Sequence, residues 1–364
     1  MMEKDIITVP VSNLVPGTIV ARDVYTRNNQ LLIPKDYVID ERVITRITLF
    51  GILSVPVYED DVRMNQIDED DLEDNIFTQQ EKQEFLEFKK DYDLTTNVVS
   101  KNMNQLLKAD GEINSDQLIE EVDKLVFKSR SKYHVFDMLH CIKGYDDETY
   151  RHSLNVAMIN SVFADWLSMD GTEKKHLIMC GLLHDVGKLQ IDRKVLRKPS
   201  GLTDHEYEHI KQHPMRGYES LKDKKIPETV KRAVLLHHER CDGKGYPFGF
   251  TVLEIDPYAA ITAIADVYEA MTANRVYRKG MSPFEVSQIF EEDGKNQFNP
   301  IFLVPLLNSM ANTYLQHKVV LNNGMTGKVV LINRDELSKP IVMLDDGRYI
   351  DLSRARDVMI TKVI

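Results

Sequence analysis

The order of hydrophobic and polar positions divides the chain into three stretches. Between residues 6 and 58 the apolar residues come in short β-rich runs, Ile6-Ile7-Thr8-Val9, Thr18-Ile19-Val20 and Gln30-Leu31-Leu32-Ile33. Pro16-Gly17 and Asn28-Asn29 stand between them as turn signals. Asp40 to Phe50 predicts a helix, with Val43, Ile44 and Ile47 on one face and Gly51 as its stop, and Ile52 to Val57 predicts a last strand. The expectation is a small α+β domain over 1–58 that carries no clustered catalytic groups. From residue 79 the period becomes helical. Phe85, Phe88, Tyr92, Val99 and Leu106 fall on a 3–4 spacing, with Thr95 and Asn102 as polar gaps, which predicts one long helix over 79–109. Its apolar stripe can pack on the next domain or on a second copy of the chain, giving a homodimer. A second helix is expected from Asn114 to Phe127, with Leu118, Val122 and Leu125 aligned, Asn114 as its cap and Gln117 at the third position. These connecting helices occupy 79–129. Residues 130–315 are helical by pattern almost throughout. Beyond them Val319-Val320-Leu321, Lys328 to Ile332, Pro340 to Leu344 and Tyr349 to Leu352 are β-like, and Asn323-Gly324 and Asp346-Gly347 are hairpin turns. This is a small β-rich unit over 316–364.

Composition narrows the class. The chain has 364 residues, 43% hydrophobic and 28% charged. That is ordinary for a folded soluble protein of two or three units. The net charge of −11 excludes a general binder of nucleic-acid polymers, which needs a basic surface along the phosphates, but leaves room for a local basic pocket for a small anion. Nine acids against one base, Arg63, lie between Glu59 and Asp74. A like-charge block of this kind stays solvated, so 59–78 reads as an acidic linker. No apolar run has the length of a membrane span, and the N-terminus shows no basic segment followed by an apolar one. The three cysteines, Cys141, Cys180 and Cys241, are odd in number and far apart, which argues against a disulfide framework and for a cytoplasmic setting.

The candidate chemistry lies in the helical stretch. Ten of the eleven histidines fall between residues 134 and 238. The informative ones are His152, the pair His184-Asp185, His213 and the pair His237-His238, followed by Asp266. The steps from one site to the next are 32, 28, 24 and 28 residues, each the length of a helix plus a loop or of two short helices. Successive helices can therefore deliver ligands to one interior point. Imidazole and carboxylate together suit first-row metals such as iron, manganese or zinc. Asp185, beside His184, can bridge two ions, and two ions about 3.5–4 Å apart can clamp a phosphodiester and acidify a bridging water into a hydroxide nucleophile. Glu148 and His152 are four residues apart, so on a helix they share a face and can serve one ion; an acidic helix start is the other reading of Glu148. Lys188, three residues after Asp185, can hold the scissile phosphate or give a proton to the leaving oxygen. The run from His237 to Pro247 ends in Gly243, Gly245 and Pro247, a rigid loop open to close backbone approach, in which Tyr246 can stack on a base or bond to a phosphate.

His184-Asp185, His237-His238-Glu239 and Gly245-Tyr246-Pro247, continued by Ala265-Asp266-Val267-Tyr268-Glu269-Ala270-Met271-Thr272, Arg275 and Tyr277-Arg278, resemble the HD-GYP branch of the HD phosphohydrolase superfamily. The resemblance covers about residues 130–315. It implies an all-α helical bundle with a metal centre, and hydrolysis of cyclic di-GMP to linear pGpG or GMP. Position by position it implies metal ligands at His152, His184, Asp185, His213, His237, His238 and Asp266. Glu148 sits where only some members carry a carboxylate for a third ion, so the resemblance implies a centre of two or three divalent ions, iron or manganese first. Lys188 matches the lysine set against the scissile phosphate, and Tyr246, Arg275 and Arg278 match ligand-contacting positions. Val276 and Asn299 depart from the usual proline and aspartate and bear on loop shape. Two alternatives stay open: a receptor that binds the dinucleotide with little turnover, and a phosphodiesterase for cyclic GMP-AMP.

Overall fold

Helix α4, Glu148–Trp166, is apolar on nearly every side: Leu154, Val156, Ala157, Met158, Ile159, Val162, Phe163 and Ala164 are all buried. A helix without a polar face has to sit in the middle of a bundle. The computed structural model, which describes residues 6–11, 14, 16–25, 31–40, 43–44, 46–47, 52, 54–58, 79–108, 110–128, 134–142, 148–196, 203–273, 280–355 and 357–364, places it there. Around it lie α1 (Gln79–Leu106), α2 (Ser115–Lys128), α3 (His134–Cys141), α5 (Gly171–Leu183), α10 (Pro257–Thr272) and α12 (Pro300–Thr313), with α9 (Glu228–Leu236) packed on the far side of α5 and α10. The short helices α6 (Arg193–Leu196), α7 (Asp204–Ile210) and α8 (His213–Leu221) run between α5 and α9, and α11 (Pro283–Glu292) stands before α12. Helix α5 packs tightly on α4 at Gly181, where an added Cβ would lie 2.5 Å from the Ala157 Cα. Its start is set by Asp170, whose carboxylate accepts from Thr172 and Glu173 N–H while Glu173 reaches back to Asp170 N–H.

The stripe on α1 is used inside the chain. Phe88, Tyr92, Val99 and Leu106 are buried in the same apolar cluster as Leu118, Val122 and Leu154. The expected cap of α2 forms, with Gln117 N–H donating to Asn114 Oδ1 at 3.1 Å. No helix among the described residues is long and apolar enough to cross a membrane.

Small antiparallel sheets stand at both ends. Near the N-terminus β1 (Ile6–Pro10) pairs with β4 (Ser54–Tyr58) and β2 (Val24–Tyr25) with β3 (Leu31–Ile33). The expected strand Thr18-Ile19-Val20 does not form as such. Its backbone bonds are shared between two partners, Ile19 bridging Val38 and Val20 bridging Val57, so no ladder extends. Val43, Ile44, Arg46 and Ile47 are helical as expected, and Asp40 stands before them, its carboxylate accepting from Val43 N–H at 2.7 Å; residues 41, 42, 45 and 48–50 and the acidic stretch 59–78 lie outside the described residues. At the C-terminus five strands run in the order β8-β7-β6-β5-β9, with β5 Lys318–Leu321, β6 Thr326–Leu331, β7 Ile341–Leu344, β8 Tyr349–Asp351 and β9 Ile360–Val363. Gly324 and Gly347 take φ of +81° and +86°, the left-handed values their hairpin turns need. Strand β9 was not expected: it returns to pair with β5 rather than with its sequence neighbour, and no local turn signal encodes that.

Candidate metal centre

Three histidines are aimed by one local device. His184 directly follows α5, His237 directly follows α9, and His213 comes three residues after α7 ends. The last carbonyls of a helix lack partners within it. Each histidine turns its Nδ1 back to the carbonyl three residues earlier: His184 to Gly181 at 2.8 Å, His213 to Ile210 at 2.9 Å, His237 to Val234 at 2.9 Å. A carbonyl only accepts, so Nδ1 carries the hydrogen and Nε2 is left as a lone pair facing inward. Close packing brings these ends together. Gly187, in the 3₁₀ turn Val186–Gln190, lies so near the start of α8 that an added Cβ would stand 1.9 Å from the His213 carbonyl oxygen.

Asp185, 1% exposed, lies between the inward nitrogens. Its Oδ2 is 3.4 Å from His184 Nε2 and 3.5 Å from His152 Nε2. Its Oδ1 is 3.2 Å from His213 Nε2 and 3.8 Å from His237 Nε2. His152 Nε2 is also 3.1 Å from Asp266 Oδ1 and 3.1 Å from His184 Nε2. His213 and His237 bring their Nε2 atoms within 3.3 Å of each other. Asp185, His213, His237 and His238 thus form one group able to hold an ion, and His152, His184 and Asp185 a second, with Asp185 common to both.

Acceptor faces acceptor in this arrangement. Asp185 Oδ1 is fully buried and without a hydrogen bond among the described residues, because the imidazole nitrogens around it have no hydrogen to give. Buried groups of this kind are costly unless a cation joins them. Charge effects agree. Burial, then neighbouring imidazoles, holds His237 and His238 well below the usual histidine range, and burial lowers His213 despite Asp185, so all three stay neutral ligands at pH 7. Burial would raise the Asp185 carboxyl, but Lys188 and His184 outweigh it and hold it well below the usual carboxylate range. At His152 burial is outweighed by Glu269 and Asp266, which hold its pKa up to about 10. Buried carboxylate and neutral imidazole sharing one centre fit divalent metal.

A family model described as HD domain matches residues 120–301. The chain belongs to the HD domain family. The adjacent His184 and Asp185 lie within that stretch, at the centre of the cluster. Among curated proteins it is 33% identical over 191 residues to the cyclic di-GMP phosphodiesterase PA4108 of Pseudomonas aeruginosa, covering 52% of this chain and 46% of that one. It is 33% identical to a cyclic di-GMP phosphodiesterase of Thermotoga maritima, covering 44% of each chain. It is also 35% identical to 3'3'-cGAMP-specific phosphodiesterase 1 of Vibrio cholerae, covering 43% of this chain and 36% of that one. The matched stretch spans less than half the length of each of these relatives.

The other expected residues of the HD domain take these positions. Lys188 Nζ lies 2.6 Å from Asp185 Oδ2 at the rim of the cluster. Tyr246 stacks on His238 at 4.6 Å between ring centroids. Its loop is held by Glu239, whose buried carboxylate accepts from Phe248 N–H at 2.7 Å and Phe250 N–H at 3.0 Å. Gly245 passes so close to Glu239 that an added Cβ would stand 2.4 Å from the Glu239 Cα. Glu148 opens α4, but its side chain lies outside the described residues, as do Arg275 and Arg278 entirely. Sequence reasoning missed Glu269, which meets His152 Nδ1 at 2.7 Å, and Lys211, whose Nζ stands 5.8 Å from the Tyr246 ring centroid. Glu269 is three residues after Asp266 on one helix, so the shared face was readable.

Proposed function

We propose that this chain is a metal-dependent phosphodiesterase that hydrolyses cyclic di-GMP to pGpG, GMP or both. The observation that carries the reading is Asp185, a buried carboxylate whose two oxygens face two separate sets of imidazole nitrogens. The names of the relatives support the substrate class. One oxygen of Asp185 with His152, His184 and Asp266 would hold one divalent ion; the other with His213, His237 and His238 would hold a second. Glu148 would add a third position, and iron or manganese suits all of them. When bound, such ions supply Lewis acidity toward a phosphodiester and make water more acidic.

The chain's own residues do the rest. Lys188 stands beside the bridging carboxylate with its ammonium partly exposed, placed to steady charge on a phosphate oxygen or to protonate the leaving oxygen. Tyr246 offers a fixed aromatic face against a base. Arg275 and Arg278 would grip phosphate through the planar guanidinium fork. We read the chain as a small α+β domain at 1–58, an acidic linker at 59–78, connecting helices at 79–129, the catalytic bundle at 130–315 and a β unit at 316–364. Separate apolar cores at the two ends support that division. A cytoplasmic setting belongs to the proposal. So does a homodimer through the 79–109 helix, where Leu86 and Leu94 are 60% and 57% exposed.

The relative from Vibrio cholerae favours a second substrate, 3'3'-cyclic GMP-AMP. Incubating purified, metal-loaded chain with each dinucleotide separates the two, and His184→Ala is expected to abolish turnover of whichever is used. Unchanged turnover in that variant would overturn the site.

A further inference from the structure

Tyr92, Asn155 and Glu269 are polar side chains buried between helices, with exposures of 0%, 9% and 5%. Their bonds run in one line. Tyr92 on α1 donates its hydroxyl to Asn155 Oδ1 at 2.7 Å. Asn155 on α4 donates Nδ2–H to Glu269 Oε1 at 2.8 Å. Glu269 on α10 meets His152 Nδ1 at 2.7 Å through its other oxygen. The direction of each bond is forced. A carboxylate only accepts, so Asn155 turns its amide nitrogen to Glu269 and its oxygen to Tyr92, and His152 carries its hydrogen on Nδ1. His152 Nε2, beside His184 and Asp266, is then the ring nitrogen left to serve an ion once its own proton is displaced. Burial keeps the Tyr92 phenol protonated, hence a donor.

We propose that Tyr92, Asn155 and Glu269 form a positioning relay through which the long helix α1 sets the metal affinity of the centre at His152. The proposal rests on the reading of the cluster as a metal centre. Glu269 fixes the ring and tautomer of His152, as a carboxylate behind a ligating histidine does in general. Asn155 and Tyr92 extend that hold to α1, the first helix after the acidic stretch. Arg151 strengthens the grip, bonding to Asp93 at 2.8 Å with its guanidinium 5.5 Å from the Tyr92 ring centroid. Coupling of this kind is reciprocal: whatever loosens α1 weakens metal binding, and metal binding tightens α1.

The test titrates Mn²⁺ into the metal-stripped full chain and follows amide exchange in residues 88–100 with and without Mn²⁺, with the metal-free melting temperature measured for each protein. Glu269→Gln is expected to weaken Mn²⁺ binding about 10–100-fold. Tyr92→Phe is expected to weaken it in the same direction by less, and both variants to lose the Mn²⁺-induced slowing of exchange in α1. The control is Tyr150→Phe, which removes another bond between the same two helices, that from Asn104 Nδ2–H to the Tyr150 hydroxyl at 2.8 Å, without touching the line. It is expected to bind Mn²⁺ like wild type. Wild-type affinity in Tyr92→Phe, or an equal loss in Tyr150→Phe, would overturn the relay. Wild-type chain that takes up neither Mn²⁺ nor, without oxygen, Fe²⁺ would overturn the metal reading itself and the relay with it.

Discussion

The proposal gives Asp185 and Lys188 separate roles, and each can be removed alone. Asp185→Asn keeps the shape but removes the negative charge and replaces one oxygen with an NH2 group that donates to the lone-pair nitrogens in place of a cation. The expected outcome is loss of the bridged pair of ions, read by metal analysis of the purified variant, with turnover lost as well. Lys188→Ala leaves every inward nitrogen in place. Its metal content should match wild type while kcat falls by about 10²–10⁴-fold, the range of a positioned proton donor. Equal metal loss in Lys188→Ala would make the lysine a structural partner of Asp185. The gathering of His152, His184, Asp185, His213, His237, His238 and Asp266 was legible because histidine and aspartate recur there at helix-length steps. Glu269 and Asn155 were not singled out, since a glutamate or asparagine on a helix is usually solvated. Only the i, i+3 spacing from Asp266 and from His152 marks them.

At the level of elements, the centre depends on helix ends brought into contact by glycine. Gly187→Ala would drive a methyl group into the His213 carbonyl, so α8 must shift. The expected cost is about 1–3 kcal/mol, seen as a lower melting temperature and weaker metal binding. Gly171 at the start of α5 has nothing within 4 Å of an added Cβ. Gly171→Ala should therefore be neutral or stabilising by up to about 1 kcal/mol, a contrast that one set of thermal melts decides. The long helices were legible from their apolar period and from caps such as Asn114. Thr18 to Val20 and strand β9 were misjudged or missed because their pairing is non-local. The first shares its bonds between two segments, and the second crosses back to β5. Periodicity reports which face is apolar, not which neighbour takes the backbone bonds.

Across the whole molecule, one large helical core holds α1 and α2 together with the helices that carry the His/Asp cluster, while the N-terminal and C-terminal sheets bury apolar clusters of their own. The net charge of −11 makes an anionic dinucleotide a poor partner for most of the surface. Binding must then draw on local cations, and the metal centre with Lys188 is the concentration of positive charge that the account supplies. Hydrolysis without bound metal is not expected. The most direct measurement counts iron, manganese and zinc per chain in protein purified without oxygen, then incubates the same sample with cyclic di-GMP before and after chelation. The account predicts two or three ions per chain, formation of pGpG or GMP, and loss of that product on chelation with recovery when Mn²⁺ or Fe²⁺ is returned. A fully loaded chain that binds cyclic di-GMP and releases no linear product, or product that persists in metal-free protein, would contradict it.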